Sequence, residues 1–287
     1  MFFTFIFSFM CFLLTSVGAG TVFIIKKNTN KITSILHSFS AGVMLASSIF
    51  SLIIPAIEYC DLLNIKSWLV FGMCFVLAYI MFYVMDSIQN KSVDNKFDIK
   101  LLAISMAIHN IPEGMCIGFA FAGANLIGTH EAIISAIMIS VGIGIQNIPE
   151  GSSLSFSLRV NGCNKMMAFF ISSAVGFIEV PSGLIAYIIG VKMLVILPYM
   201  LVFAAAVMIC VACTSLMPEA VSIGGKAAMT GLFLGFIVMM ILDLALGWFV
   251  FFVGNRCIYE DLINIIVKMT FVIKKMFTNF YLYVKIS

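Results

Sequence analysis

The chain has 287 residues, of which 62% are hydrophobic and only 10% are charged, and its mean hydropathy is +1.15. Soluble domains are roughly half apolar and a quarter charged, so this composition excludes an ordinary soluble protein and predicts several crossings of a lipid bilayer. The net charge of +3 is scattered and forms no arginine-rich stripe, which argues against nucleic-acid binding. The eight cysteines are dispersed among apolar runs and do not predict a disulfide framework.

Eight apolar runs follow one another, each near the ~20 residues that a helix needs to cross ~30 Å of hydrocarbon. We therefore predict an all-α polytopic membrane protein whose transmembrane domain covers residues 1–254. The apolar start, without a preceding basic region, predicts a first transmembrane helix rather than a cleaved signal peptide. The predicted spans are roughly 2–25, 35–57, 67–85, 101–123, 131–157, 167–190, 194–216 and 228–253.

The basic residues between these spans predict the orientation of the chain. With the N-terminus outside the cytosol, the inward loops carry nine lysine and arginine residues and the outward loops carry two. The positive-inside rule therefore predicts an extracytosolic N-terminus. Residues 255–287 mix apolar residues with lysines, and we predict a basic amphipathic tail lying on the membrane. An inserted ninth segment is the alternative, although three lysines would then fall in its middle.

One polar phrase occurs twice inside apolar stretches. Residues 109–114, His-Asn-Ile-Pro-Glu-Gly, return 37 residues later as residues 146–151, Gln-Asn-Ile-Pro-Glu-Gly. A carboxylate at the centre of a transmembrane helix costs roughly 3 kcal/mol on insertion scales. Because the chain carries this cost at matching places in two neighbouring spans, we predict a polar site between them.

Helical spacing places the polar side chains of each phrase on one face, since residues three and four positions apart are neighbours. Imidazole suits Zn, Fe and Cu, and carboxylate and carbonyl oxygens extend the range to Mn. If the two faces meet, they form two adjacent cation sites that share both glutamates. One site would hold His109, Glu113, Gln146 and Glu150, and the other Asn110, Glu113, Asn147 and Glu150.

The remaining residues of the phrase fit a wet cavity between packed helices. Pro112 and Pro149 each free a backbone carbonyl one turn earlier, and Gly114 and Gly151 allow close helix packing. Amide ligands should bind a metal loosely, which suits a carrier better than a structural zinc site. The alternative is that the polar pairs only hold the helices together.

Other polar residues within or near the spans have separate expectations. Glu179 lies midway along the sixth span, and the metal site is the natural partner of a carboxylate there. Asp243 in the eighth span is expected to hydrogen-bond a Ser or Thr hydroxyl or to join the site. Glu219 lies near a helix end, where a carboxylate costs little. His37 and His130 also lie near span ends, and we expect both on solvated surface.

These motifs resemble the ZIP family of divalent-metal transporters, and in particular its GufA-type branch. The resemblance covers roughly residues 35–250, and Gln rather than His at position 146 distinguishes this branch. Beyond the repeated phrase, the matching residues are 41–48, 55–58, 142–147, 197–199, 203–206, 242–243 and 246–247.

The resemblance implies a 3+2+3 arrangement of eight helices, with spans 1–3 and 6–8 related as a pseudo-twofold inverted repeat. It implies a binuclear site from spans 4 and 5 that Glu179 completes, with Met44 near the metal, although Met44 alone predicts core filling. Asn147 stands where some relatives have Asp, which lowers the negative charge of the second site.

By the same resemblance, the expected function is transport of zinc toward the cytosol by an elevator or alternating-access movement. Fe²⁺, Mn²⁺ and Cd²⁺ are further candidate cargoes, no prosthetic group is expected, and a homodimer is compatible with the family. The plasma membrane and internal organelle membranes both stay open as locations.

Two other classes of function compete with a carrier. A passive metal channel or a metal-binding receptor would use the same residues. An intramembrane metalloprotease is a distant third, because its H-E-x-x-H motif needs two histidines one turn apart, and the two copies of the phrase contain one histidine between them. We therefore expect no enzymatic activity.

Overall fold

The computed structural model describes residues 1–24, 30–90 and 99–253, and within these ranges the chain forms only helices and short turns. The chain divides into two compact units, Met1–Leu244 and Ala245–Ser287. The helices are α1 Phe2–Ile24, α2 Asn30–Ser47, α3 Ile54–Leu62, α4 Ser67–Asn90, α5 Ile99–Ile127, α6 His130–Val160, α7 Lys165–Phe177, α8 Glu179–Gly190, α9 Ile196–Val211, α10 Met217–Gly224 and α11 Lys226–Val253.

The described helices agree with the prediction of an all-α chain that crosses a membrane several times. α5, which is 29 residues long, coincides with the predicted fourth span. The predicted tail, residues 255–287, lies outside the described residues. Within the described ranges, seven segments are long and apolar enough to cross a membrane: Phe2–Ile24, Lys31–Leu62, Ser67–Val84, His130–Val160, Lys165–Gly190, Ile196–Gly224 and Lys226–Ala245.

Two of these segments contain a π-helical turn in the same context. Ser48–Ile53 continue α2 into α3, and Ala212–Leu216 continue α9 into α10. Each turn is followed at once by a proline, Pro55 or Pro218, in the first positions of the next helix. Because the helix continues through each turn, the proline removes a backbone N–H that would otherwise bond back into the turn.

Small residues bring several helices into backbone contact. Gly42 of α2 lies against the backbone of α11 at Leu232 and Phe236, and Gly235 of α11 lies against Phe39. Gly18 of α1 lies against the backbone of α6 at Ile148. Without a hydrophobic drive between helices in lipid, such close van der Waals packing is a main source of association.

α5 and α6 lie at the centre of these contacts. In one group of helices, α1 packs on α6 and α7, and α5 packs on α8. In the other group, α4 and the π-helical turn after α2 pack against α9, and α10 packs against α2. α5 also contacts α9, and α6 also contacts α2. The two helices that carry the repeated phrase therefore touch both groups of helices.

Candidate metal centre

The register of the α5–α6 hairpin opposes the two copies of the phrase. Only Gly128 and Thr129 separate the helices: Gly128 has a φ of +72°, and Thr129 caps α6 by accepting a hydrogen bond from the Ala132 amide. Antiparallel helices on so short a turn pair residues at similar distances from it. His109 lies 18 residues before the end of α5, and Glu150 lies 20 residues after the start of α6.

His109 and Glu150 consequently face each other across the helix interface. The distance from His109 Nε2 to Glu150 Oε1 is 3.7 Å, and both side chains are buried. This separation is longer than a hydrogen bond. It is also slightly wider than the ~3.4 Å between two ligands of a tetrahedral zinc ion with bonds of about 2.0–2.1 Å. A small contraction would therefore let one cation bridge the imidazole and the carboxylate.

The same register brings Glu113 to Gln146, which is fully buried. The Gln146 side chain interacts with Glu113, and its Nε2 lies 3.8 Å from the Met208 sulfur of α9. The Gln146 oxygen accepts a hydrogen bond from the Ser47 hydroxyl at the end of α2. The amide oxygen of Gln146, which is the atom that binds metals, is thus hydrogen-bonded to Ser47. The side-chain amide group would have to rotate by about 180° to point this oxygen at a cation.

Asn147 connects the second copy to α8. Its Nδ2 lies 2.8 Å and 3.0 Å from the two carboxylate oxygens of Glu179, the first residue of α8. Its Nδ2 also lies 3.5 Å from the backbone oxygen of Cys11 in α1. Glu179 and Asn147 are both fully buried. The prediction that Glu179 lies with the repeated phrase, rather than apart from it, agrees with this contact.

Asn110, at the equivalent position of the first copy, has a different neighbour. Its Nδ2 donates to the backbone oxygen of Val175 in α7 at 3.4 Å. The amide oxygens of Asn110 and Asn147 are both buried and accept no hydrogen bond from any described residue. A buried acceptor without a donor is costly, and an ion that binds to it removes that cost.

Three carboxylates come together in this region. Glu113 interacts electrostatically with Glu150 and Glu179, and Glu179 also interacts with Glu150. None of the described lysine or arginine side chains forms an ion pair with them. Buried like charges at close range need protons or a bound cation for compensation. The centre can therefore be compensated either by protons or by a bound cation.

The donor atoms are gathered but not focused on one point. In the described part of the chain, no group of three or more His, Cys, Asp or Glu side chains converges closely enough to hold a metal ion. The predicted sites also use amide oxygens. The metal hypothesis therefore depends on the amide oxygens of Asn110 and Asn147 as well as on the carboxylates.

The glycines of the phrase pack against different helices. A Cβ on Gly114 would collide with Ser182 and the Glu179 backbone of α8, and a Cβ on Gly151 would collide with the Thr15 backbone of α1. The prediction that both glycines allow close packing agrees with these contacts. Their partners are the flanking segments, so α1 and α8 are held against the two motif helices.

Comparison with known proteins identifies the relatives of this chain. It is 42% identical over 150 residues to zinc transporter ZIP11 of Homo sapiens, covering 52% of this chain and 44% of that protein. It is 33% identical over 150 residues to zinc transporter GufA of Myxococcus xanthus, covering 51% and 56%. It is 28% identical over 253 residues to zinc transporter ZIPB of Bordetella bronchiseptica, covering 82% and 79%.

The chain is therefore similar to proteins that are named zinc transporters in animals and bacteria. The GufA-type branch is among its relatives, as the motifs predicted. The match spans less than half the length of the human ZIP11 protein. No family model matches the chain.

One prediction for this chain is wrong. His37 was expected on solvated surface, but it is 2% exposed and lies between Ser157 and Glu219. The helix begins at Asn30, earlier than the predicted boundary, so His37 falls about two turns inside it. His130 is exposed, as predicted. Asp243 accepts a hydrogen bond from Ser51 at 2.8 Å, which confirms the expected hydroxyl partner.

Two neighbours of the candidate metal centre, Ser47 and Met208, were not predicted from the sequence. Ser47 lies one turn after Met44 on the same face of α2, so the helical period offered a signal for it. Met44 itself is fully buried, and its proximity to a metal stays a prediction. Met208 lies in an apolar run of α9, where nothing distinguishes it from core residues.

Proposed function

We propose that this ZIP homologue transports divalent metal cations across a membrane, with zinc as the main cargo and the cytosol as the destination. The observation that carries the proposal is the burial of three mutually interacting carboxylates, Glu113, Glu150 and Glu179, with the His109 imidazole 3.7 Å from Glu150. The relatives are named zinc transporters and not enzymes, which supports zinc as cargo rather than as a prosthetic group.

We further propose that the centre holds two metal ions. Glu113 and Glu150 would contribute to both positions. The buried, unpartnered amide oxygens of Asn110 and Asn147 support a second position beside the imidazole. The first position would use His109, Glu113, Gln146 and Glu150, with Met44 nearby, and the second would use Asn110, Glu113, Asn147 and Glu150, completed by Glu179.

The proposed membrane topology has eight spans in a 3+2+3 arrangement with an extracytosolic N-terminus. In this numbering the second and seventh spans each contain a π-helical turn followed by a proline, and these are the spans that a pseudo-twofold between spans 1–3 and 6–8 would relate. α5, at 29 residues, has the length to be the eighth span. A homodimer is compatible with this topology.

The proposed mechanism is a carrier in which one group of helices moves against the other. α1, α5, α6 and α8 would move together, because Gly114 and Gly151 hold α8 and α1 against the motif helices. The hydrogen bond from Ser47 to Gln146 crosses to the other group and would have to break. Movement of this kind exposes the metal centre to each side in turn.

Zinc entry into proteoliposomes loaded with a zinc-sensitive dye tests the proposal. Wild type is compared with Glu150→Ala and with the matched control Glu131→Ala, which removes an exposed glutamate from the first turn of the same helix. We expect saturable entry in wild type and control, and its loss in Glu150→Ala. Equal entry in all three would mean that the repeated phrase only holds helices together. Entry that rises linearly with zinc concentration would indicate a channel.

A further inference from the structure

A second polar cluster lies outside the metal centre and joins three helices. It consists of His37 of α2, Ser157 of α6 and Glu219 of α10. His37 and Ser157 are each 2% exposed, whereas the Glu219 side chain is 33% exposed. The cluster therefore has a buried imidazole and a carboxylate that reaches water.

The two ring nitrogens of His37 have different surroundings. Nε2 lies 2.7 Å from the Ser157 hydroxyl. Nδ1 is buried, has no hydrogen-bond partner in the described residues, and faces Glu219 Oε2 at 3.4 Å. Metal-bound histidines usually donate their other ring N–H to an oxygen, which fixes the tautomer. With Nε2–H donated to Ser157, the Nδ1 lone pair points to the space next to Glu219.

The 3.4 Å separation is longer than a charge-assisted hydrogen bond, lies within ion-pair distance, and also equals the ligand-to-ligand edge of a tetrahedral metal site. A charge-assisted N–H···O bond has a length of about 2.7–2.9 Å. Two ligands of a tetrahedral zinc ion, with bonds of about 2.0–2.1 Å, lie about 3.4 Å apart. The distance between His37 Nδ1 and Glu219 Oε2 matches the second value.

A polar face of α6 connects this cluster to the metal centre. Gln146, Glu150, Ser153 and Ser157 recur at helical spacing and share one face. Ser153 is 1% exposed, and its hydroxyl has no hydrogen-bond partner among the described residues. From Glu150 to Ser157 the helix rises about 10 Å. A cation leaving Glu150 along this face would reach His37 after passing one hydroxyl.

The three helices of the cluster each have a basic residue at the end where the cluster lies. Lys31 begins the segment of His37, Arg159 ends that of Ser157, and Lys226 follows that of Glu219. The positive-inside rule assigns such ends to the cytosol. The exit side of the proposed transport route is therefore the side on which His37 and Glu219 lie.

We propose that His37 and Glu219 form a transient divalent-cation station through which the cargo passes between the metal centre and the cytosol. This inference deepens the proposed function and takes its direction of transport from it. Two protein ligands leave the other positions of the ion to water, so the station binds weakly and releases readily. The partly exposed Glu219 carboxylate is the point at which water enters.

Equilibrium zinc binding to the purified full-length protein tests the station apart from transport. The parent variant Glu113→Gln/Glu150→Gln removes the shared ligands of the metal centre. We expect it to keep one weak zinc equivalent. Adding His37→Gln or Glu219→Gln should abolish that equivalent, and adding His130→Gln, which changes an exposed histidine, should leave it. Thermal unfolding and gel filtration check that each variant is folded, and Glu219, being partly exposed, is the change that the fold tolerates better.

The outcomes separate this inference from the proposed function. One retained equivalent that survives both added changes, or no retained equivalent in the parent variant, would overturn the station. A station that binds zinc in a protein whose wild type moves no zinc would leave the site intact and reject the transport proposal. In transport assays, His37→Gln alone should lower the maximal rate several-fold without changing the external zinc concentration for half-saturation.

Discussion

The two copies of the repeated phrase share five residues, yet their asparagines have different partners. Asn110 donates to a backbone carbonyl, that of Val175, whereas Asn147 donates to both oxygens of the Glu179 carboxylate. The helices around each copy cause the difference, because α7 adjoins the first asparagine and the start of α8 adjoins the second. The same five residues therefore give the second copy the more negative environment.

The first residues of the two copies differ in the same way. His109 faces the Glu150 carboxylate of the other motif helix. Gln146 is bonded to Ser47 and Met208, which belong to α2 and α9. The first copy thus presents a side chain to the centre, and the second copy connects the centre to neighbouring helices.

The largest expected effect concerns the glutamates, which we propose to be equivalent in the two copies. Glu113→Ala and Glu150→Ala should each reduce the initial rate of zinc entry at least ~100-fold, since loss of a residue that only supports a metal ligand already costs about 10–100-fold. Both carboxylates are buried and belong to both proposed metal positions. The measurement is dye-reported zinc entry at matched protein density. If one variant retains more than a tenth of the wild-type rate, the two glutamates do not both contribute to both metal positions.

The glycines of the two copies should give effects on stability. Gly151→Ala and Gly114→Ala should each lower stability by about 1–3 kcal/mol, because the added methyl meets backbone atoms that cannot rotate away. Thermal unfolding in detergent measures this change. Gly72→Ala is the matched control, since a Cβ there meets no atom within 4 Å.

The same two variants should differ in zinc binding. Gly114 lies against the Glu179 backbone, so its substitution shifts a proposed ligand, whereas Gly151 lies against α1. We expect weaker zinc binding in Gly114→Ala than in Gly151→Ala. Equal zinc affinities in the two variants would contradict the placement of Glu179 in the centre.

The asparagines should respond unequally to added charge. Asn147→Asp places a second carboxylate where the Glu179 oxygens now lie 2.8 and 3.0 Å from the amide nitrogen. Without zinc this should lower the unfolding temperature, and with zinc it should lower the half-saturating concentration ~10-fold, or about 1.4 kcal/mol. The slower release should also reduce the maximal rate.

Asn110→Asp is the control for that change. It places an oxygen beside the Val175 carbonyl, which is a neutral dipole rather than a carboxylate. The destabilisation without zinc and the gain in zinc affinity should both be smaller than for Asn147→Asp. Thermal unfolding with and without zinc compares them, and identical shifts would mean that the two copies have equivalent environments.

Features that depend on one helix or on a short connection were predictable from the sequence. The polar face of each phrase follows from helical spacing. The pairing of His109 with Glu150 follows from that spacing together with the two-residue turn at Gly128 and Thr129. The hydroxyl partner of Asp243 was predicted as a type of residue, because a buried carboxylate requires a donor.

Features that depend on the packing of distant segments were not predictable in this way. His37 is buried because Ser157 and Glu219, more than 100 residues away in sequence, meet it. No local pattern indicates that α2, α6 and α10 converge at one end. The π-helical turns were also missed, since their sequences are as apolar as the α-helices they interrupt.

The smallest expected effect concerns metal preference and tests how the first residues of the copies differ. His109→Ala leaves only carboxylate and amide oxygens in the centre, and oxygen ligands favour harder cations such as Mn²⁺ over Zn²⁺. The ratio of Mn²⁺ to Zn²⁺ entry should rise several-fold, as measured by competition in proteoliposomes. His130→Ala, which removes an exposed histidine, should leave the ratio unchanged.

The reciprocal change Gln146→His completes this test. It gives the second copy an imidazole next to Glu113, but Ser47 and Met208 also contact the side chain at this position and restrict the orientation of the new ring. The metal ratio should therefore move less than in His109→Ala. A large shift toward zinc in Gln146→His would mean that position 146 can reach the metal as directly as position 109, and that the contacts to α2 and α9 are not what separates the two copies.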